Sequence, residues 1–415
     1  MRFKLQPCSF LLAGVLASSS HAALAANTQA MTEIYAGFGD KLLGYALAPD
    51  GSLTQNGVVQ LPAPLQFAVA DKGNRHLYVA SSNINGANPG DVHMLSAFTI
   101  DHATGQLMPL GEPVKLEQRP IYLTLDRDGT HALLAYNLAP TVTVHVLQPD
   151  GSLGAQVKQA QPIKSGVFTH QVTVVPNDKF VIAPGRGNDP SASRPEDLGT
   201  LSAFAYSGGK LTPAGVETFA PSVGPRHIAY HPRAPLAYLA MERGSSLYTY
   251  PLTKEGRLAN RPVFKTSTLD PHWHAEADEG IKKGGVILVR PDGKYLYVTN
   301  RSDELQTTEK PAMFKHGEND IAVYVLDAKT GEPKLLQHIP TQGVEARTIS
   351  VAPGNQWFIV GNQKGGQVQR GTATEAEKAN IAVFRIKPDG TLAFHRKYDM
   401  PEPGRSLMWV EALQL

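Results

Sequence analysis

Residues 286–301 read VILVRPDGKYLYVTNR. Two apolar runs flank Pro-Asp-Gly, residue types that make a tight turn, so the stretch predicts two antiparallel strands joined as a hairpin. The same layout recurs as FAVADKGNRHLYVASS (67–82), YLTLDRDGTHALLAYN (122–137), QVTVVPNDKFVIAPGR (171–186), HIAYHPRAPLAYLAME (227–242) and TISVAPGNQWFIVGNQ (348–363). A second pattern alternates with it: an apolar strand, a short turn with Gly, then Leu. Its copies are GYALAPDGSL (44–53), LSAFTIDHATGQL (95–107), VTVHVLQPDGSL (142–153), LSAFAYSGGKL (201–211), LYTYPLTKEGRL (247–258), IAVYVLDAKTGEPKL (321–335) and IAVFRIKPDGTL (381–392). One copy of each makes a unit of four antiparallel strands, and such units in tandem are propeller blades.

The first copy of the second pattern has no hairpin before it. TEIYAGFGD (32–40) and RSLMWVEA (405–412) supply the missing strands from opposite ends of the chain. The predicted fold is therefore all-β: a seven-bladed β-propeller of four-stranded antiparallel blades, its ring closed by N- and C-terminal strands in one blade. Closure of this kind removes exposed sheet edges.

Composition narrows the function classes. The chain has 415 residues, 42% hydrophobic and 18% charged, with a formal net charge of +2, so a nucleic-acid partner is not expected. Arg2 and Lys4 precede an apolar stretch at 10–17, and Ala23 and Ala25 fit a small-residue cleavage site, so 1–25 reads as a signal peptide and 26–415 as a single propeller domain. Cys8, the only cysteine, lies in the segment to be removed. The mature protein is expected to have no disulfide, no thiolate chemistry, no lipid or membrane anchor, and a periplasmic or secreted location as a monomer.

Aligning the copies at the residue before the first strand of each blade gives Gln66, Ile121, His170, Arg226, Gly285, Arg347 and Arg405. The far end of the second strand returns to the same face and carries Asp40, Ser82, Asn137, Arg186, Glu242, Arg301 and Gln363. Several cations at one level need compensation or a ligand, because buried like charges repel. Connections on this rim are long at 187–199, 268–284, 302–319 and 364–379, whereas the opposite face has tight turns.

With GPRHIAYHP (224–232), PDGKYLYVTNR (291–301) and PGRSLMWVEA (403–412), the chain resembles the seven-bladed lactonase propellers, which include bacterial 6-phosphogluconolactonases and fungal carboxymuconate lactonizing enzymes. The resemblance implies a cofactor-free, metal-independent lactone hydrolase with His170, Arg226, Glu242 and Arg301 as its catalytic set. In that role His170 takes a proton from water attacking the ester carbonyl, and Arg226, held by Glu242, stabilises the oxyanion. Arg347, Arg186, Arg405 and His227 on the same rim are the candidate substrate-binding groups. The partner is then a small lactone or another organic anion. The sequence leaves other readings open: Arg226 and Glu242 as an ion pair that only closes a blade, or a non-catalytic propeller that binds an acidic small molecule, glycan or protein. PHWHAEADEG (271–280) gathers His272, His274, Glu276 and Asp278, but their spacing matches no standard metal motif, and the stretch reads as a lid.

Overall fold

A computed structural model of the chain describes residues 31–84, 88–272, 283–302, 305–307, 313–314, 319–370 and 373–415. The expected signal peptide lies outside the described residues, as do His274, Glu276 and Asp278 of the loop with two histidines.

Among the described residues, seven sheets follow one another in the order the repeats predict, each on a path of four antiparallel strands. The second runs 65–70, 76–82, 93–100 and 107–109, and the third 120–125, 131–136, 141–147 and 153–156. The fourth, fifth and sixth begin at 173–174, 225–230 and 283–289; the seventh runs 344–351, 357–364, 380–386 and 392–399. The first joins 53–60, 41–47 and 32–38 to 407–414, so the two ends of the described chain share one sheet.

Strands buried on both faces explain why the apolar runs are nearly continuous. Ala237, Tyr238, Leu239, Ala240 and Met241 are all fully buried, because the two faces of their sheet pack on the sheets before and after it. A repeated bond ties neighbours together. Tyr35 Oη donates to the Gly105 carbonyl at 2.9 Å, Tyr78 to Gly151 at 2.9 Å, Tyr238 to Gly331 at 2.9 Å and Tyr297 to Gly390 at 3.1 Å. Each acceptor is the turn glycine of the second pattern. Gly390 shows why glycine is needed, since its φ is 82° and a Cβ there would lie 2.1 Å from the Tyr295 ring.

The first strand of most sheets carries a bulge at its rim end. Ladder pairing skips Gln66, Ile121, Arg226 and Arg347, and it shifts between Gly284 and Ile287. In the first sheet the skipped residue is Met408, not Arg405. The sequence alignment at this level was therefore three residues out of register in that blade, because Arg405 precedes the strand. A bulge leaves its extra residue out of the ladder and re-aims the side chain, which is how polar groups from separate sheets come to one level.

Two rim connections do more than loop. Residues 305–307, 313–314, 366–370 and 373–377 pair into an additional four-stranded sheet, with 313–314 parallel to 366–370. Phe314 and Val368 pack there on Val344. Sequence patterning missed this sheet, since its strands are short and come from two distant connections.

Strand 407–414 is bonded to the seventh sheet as well as to 32–38. Val410 N–H donates to Thr348 Oγ1 at 2.9 Å and Ala412 N–H to Ser350 Oγ at 3.0 Å. Deleting 404–415 strips these bonds, removes buried Leu407, Trp409 and Val410, and bares the edge of 32–38. The truncated protein is expected to aggregate or to lose its cooperative thermal transition. A melting curve that matches the full-length protein would contradict this.

The same strand carries Glu411, whose carboxyl is pushed up to about 7 by burial against a smaller opposing pull from the Ala70 amide. Its ordinary value when unfolded is about 4.3. From there to about pH 7 the unfolded chain gives up this proton while the folded chain keeps it, so the group's contribution to stability falls as pH rises through that window. Glu411→Gln should raise the melting temperature relative to wild type at pH 8 and change it little at pH 4. A difference that does not depend on pH would mean the carboxyl is well solvated.

Candidate active site

Arg226 enters the site through backbone that few sequences allow. Gly224 has φ 53°, and a Cβ there would meet the Arg186 carbonyl oxygen at 2.9 Å. The Glu242 amide donates to the Gly224 carbonyl at 2.7 Å, which sets Glu242 beside the bulged Arg226. Arg226 is 1% exposed, and its Nε lies 2.8 Å from Glu242 Oε2.

His170 is placed differently, because the first strand of the fourth sheet shrinks to 173–174. Its turn is held by Ser165 Oγ and Thr169 Oγ1 at 2.7 Å, and its own amide donates to the Pro184 carbonyl at 2.9 Å. Gln171 then joins three sheets. Its Nε2 donates to Tyr122 Oη at 3.0 Å, and its Oε1 accepts from the Ile228 amide at 2.7 Å. This holds His170 against His227.

The structure brings His170, His227, Arg226, Glu242 and Arg301 into one contiguous cluster. His170 Nδ1 lies 3.1 Å from His227 Nε2, and His227 Nδ1 lies 3.0 Å from Arg226 Nη1. Arg301 Nη2 stands 3.3 Å from Glu242 Oε2, and Arg186 Nη1 stands 3.7 Å from Glu242 Oε1. Arg186 also lies over the Phe168 ring, 3.9 Å from its centroid. Burial would push the Glu242 carboxyl up, but Arg301, Arg226 and Arg186 more than cancel it and hold the group below its usual range. Burial holds both imidazoles well below theirs, with Arg226 adding to the effect. Arg347 contributes to the field on both histidines and on Arg226.

Arg405 is not part of this cluster. It pairs with Asp40 and, at 2.7 Å, with Glu402, and it is over a third exposed. Among the described residues no group of three or more His, Cys, Asp or Glu side chains stands ready to hold a metal ion.

Three members were missed in the sequence. Glu345 is buried with φ 58°, and its carboxylate lies 2.5 Å from Arg301 Nη1 and 2.9 Å from Lys364 Nζ. A left-handed glutamate costs energy and marks a position fixed by its surroundings. The other two are Lys364 itself and Arg119, whose Nε donates to Gln66 Oε1 at 2.8 Å and whose pKa is brought down to about 10 by burial and by Arg347. The alignment of the repeats places Ile121 at this level in that blade, so Arg119, just ahead of Pro120, falls outside it.

A rim of compensated arginines and histidines on seven four-stranded sheets defines a class that comparison identifies. Residues 35–375 match the family model described as lactonase, 7-bladed beta-propeller, and the chain belongs to that family. It is similar to the 6-phosphogluconolactonase of Pectobacterium atrosepticum, 26% identical over 372 residues that cover 89% of this chain and 95% of the relative. The 6-phosphogluconolactonase of Bacillus subtilis is 25% identical over 281 residues, 66% of this chain and 72% of the relative. Among solved structures, the periplasmic gluconolactonase of Pseudomonas aeruginosa superposes with a TM-score of 0.72 at 20% identity, over 92% of this chain and 99% of its own. A Lactobacillus plantarum protein gives 0.70 at 19%, over 92% and 100%. These two likenesses establish the fold.

Proposed function

We propose that this chain is an exported lactone hydrolase of carbohydrate metabolism, acting on a sugar-derived or carboxylated lactone at the rim cluster around Arg226. The observation that carries the reading is Arg226 buried between Glu242 and His227, with Arg301 on the same carboxylate. A guanidinium sealed in this way is oriented before substrate arrives, which is what stabilising a developing oxyanion requires. The names of the two relatives given above, both 6-phosphogluconolactonases, support the lactone as substrate class.

In this reading water attacks the lactone carbonyl, Arg226 and Arg301 balance the charge that forms on its oxygen, and His170, backed by His227, contacts the reacting ester. Arg347 and Arg186 receive an anionic group of the substrate. This reading assigns no role to a metal: Glu242 faces three guanidiniums, and His227 lies between Arg226 and His170. Strand 407–414 touches both 65–70 and 344–351, which supports a ring closed through the shared first sheet. The leader at 1–25 directs the protein to the periplasm or the medium, where it acts as a monomer. None of the helices among the described residues is long and apolar enough to cross a membrane.

The test is a pH-stat assay of purified mature protein against neutral, carboxylated and phosphorylated lactones, with and without chelator. Ring opening of at least one class, insensitive to chelator, is expected. If no lactone opens and organic anions bind at the same rim, the protein is a binding module.

A further inference from the structure

The hydrogen bonds around His170 run in one direction only. Arginine has five N–H donors and no acceptor. At 3.0 Å, therefore, Arg226 Nη1 donates to His227 Nδ1 and occupies its lone pair. The proton of a neutral His227 then sits on Nε2, which donates at 3.1 Å to His170 Nδ1. That in turn places the proton of His170 on Nε2. Among the described residues this nitrogen bonds to no protein group, and His170 keeps 5% of its surface exposed.

The geometry points to His170 as a neutral hydrogen-bond donor to the lactone carbonyl oxygen, with His227 as the positioning residue that sets its tautomer. This rests on the hydrolase reading and departs from the proton-accepting role that the sequence suggested for His170. A base at Nε2 would need its proton on Nδ1, facing His227. His227 would then have to turn an N–H toward Arg226, where two donors would meet.

The cations acting most on His170 are Arg226 on strand 225–230, Arg347 on 344–351 and Arg301 on 295–301, with neutral His227 beside it; the carboxylates Glu242 and Glu345 stand behind Arg226 and Arg301. Burial and these cations oppose an imidazolium, so the ring stays a neutral donor at physiological pH. In the step itself, a water oxygen bonds to the carbonyl carbon and gives its proton to solvent water. The carbonyl π pair moves onto the oxygen, which accepts from His170 Nε2–H. The intermediate re-forms the carbonyl, the bond to the ring oxygen breaks, that oxygen takes a proton from solvent, and the carboxylic acid so formed gives its own proton to solvent, leaving a hydroxy-carboxylate.

Two measurements test this. With ¹⁵N-labelled histidine, NMR should show His170 as the Nε2–H tautomer and neutral at the ordinary imidazole value of about 6.5, and His227→Phe should abolish the tautomer preference. His170→Gln keeps an N–H near the Nε2 position, so its kcat should stay within about tenfold of wild type, whereas His170→Ala should lose about 10²- to 10³-fold. An unprotonated Nε2, or a Gln variant as slow as Ala with a wild-type rate that falls below about pH 6.5, would overturn the proposal. A protein that opens no lactone would overturn the catalytic role through the hydrolase reading, and the spectrum would separate that failure from an error in the tautomer.

Discussion

Glu242→Ala is expected to destabilise the protein by about 3–5 kcal/mol, the usual cost of removing one partner from a buried ion pair. The reason is specific to this cluster. Glu242 is the carboxylate for Arg226, which is 1% exposed, and it also faces Arg301 and Arg186. Without it, three guanidiniums are left with Glu345 as the nearest compensating charge that the cluster provides, and that group already serves Lys364. Equilibrium urea unfolding should show a lower midpoint with an unchanged slope, which separates lost stability from a changed denatured state. Glu242→Gln keeps the volume but not the charge and should fall nearly as far. A midpoint unmoved in both variants would mean that Arg226 is not held by this pair.

Arg226→Lys should lower kcat by roughly 10²-fold while KM changes little, the pattern of an interaction made only in the transition state. Lysine keeps the charge but not the planar fork. Arg226 sets Nε against Glu242 and Nη1 on His227 at once, and a single ammonium on a flexible stem does not reproduce both directions. Steady-state kinetics on the best lactone from the panel, with a melting curve to verify folding, are the measurements. An unchanged kcat in a folded variant would leave GPRHIAYHP as a motif that joins blades and does nothing to substrate. The loss would also reach His170, because the tautomer chain begins at Arg226.

Much of the architecture was legible because strands announce themselves through local chemistry. The Pro-Asp-Gly of 291–293 turns a hairpin wherever it stands, and the turn glycines take positive φ whatever lies beyond them. Four residues that the structure brings into one cluster, His170, Arg226, Glu242 and Arg301, are reached by carrying that periodicity to the rim and by the family resemblance. Arg405 was misplaced by the same method. Periodicity counts residues along a strand, and it does not register that the strand begins two residues later, at Leu407, or that the bulge there falls on Met408.

The sequence by itself determined the repeat, the antiparallel hairpins, the polar face and the pairing of the chain's two ends, because each follows from turn residues and apolar alternation within a few positions. Tertiary structure alone decided that Glu345 meets Arg301, that two distant connections build one additional sheet, and which nitrogen of His170 keeps its proton. The last of these depends on Arg226 bonding His227 and on His227 bonding a histidine 57 positions away. Hydrogen-bond direction is a property of groups in contact, and no pattern along the chain encodes which donor ends up facing which lone pair.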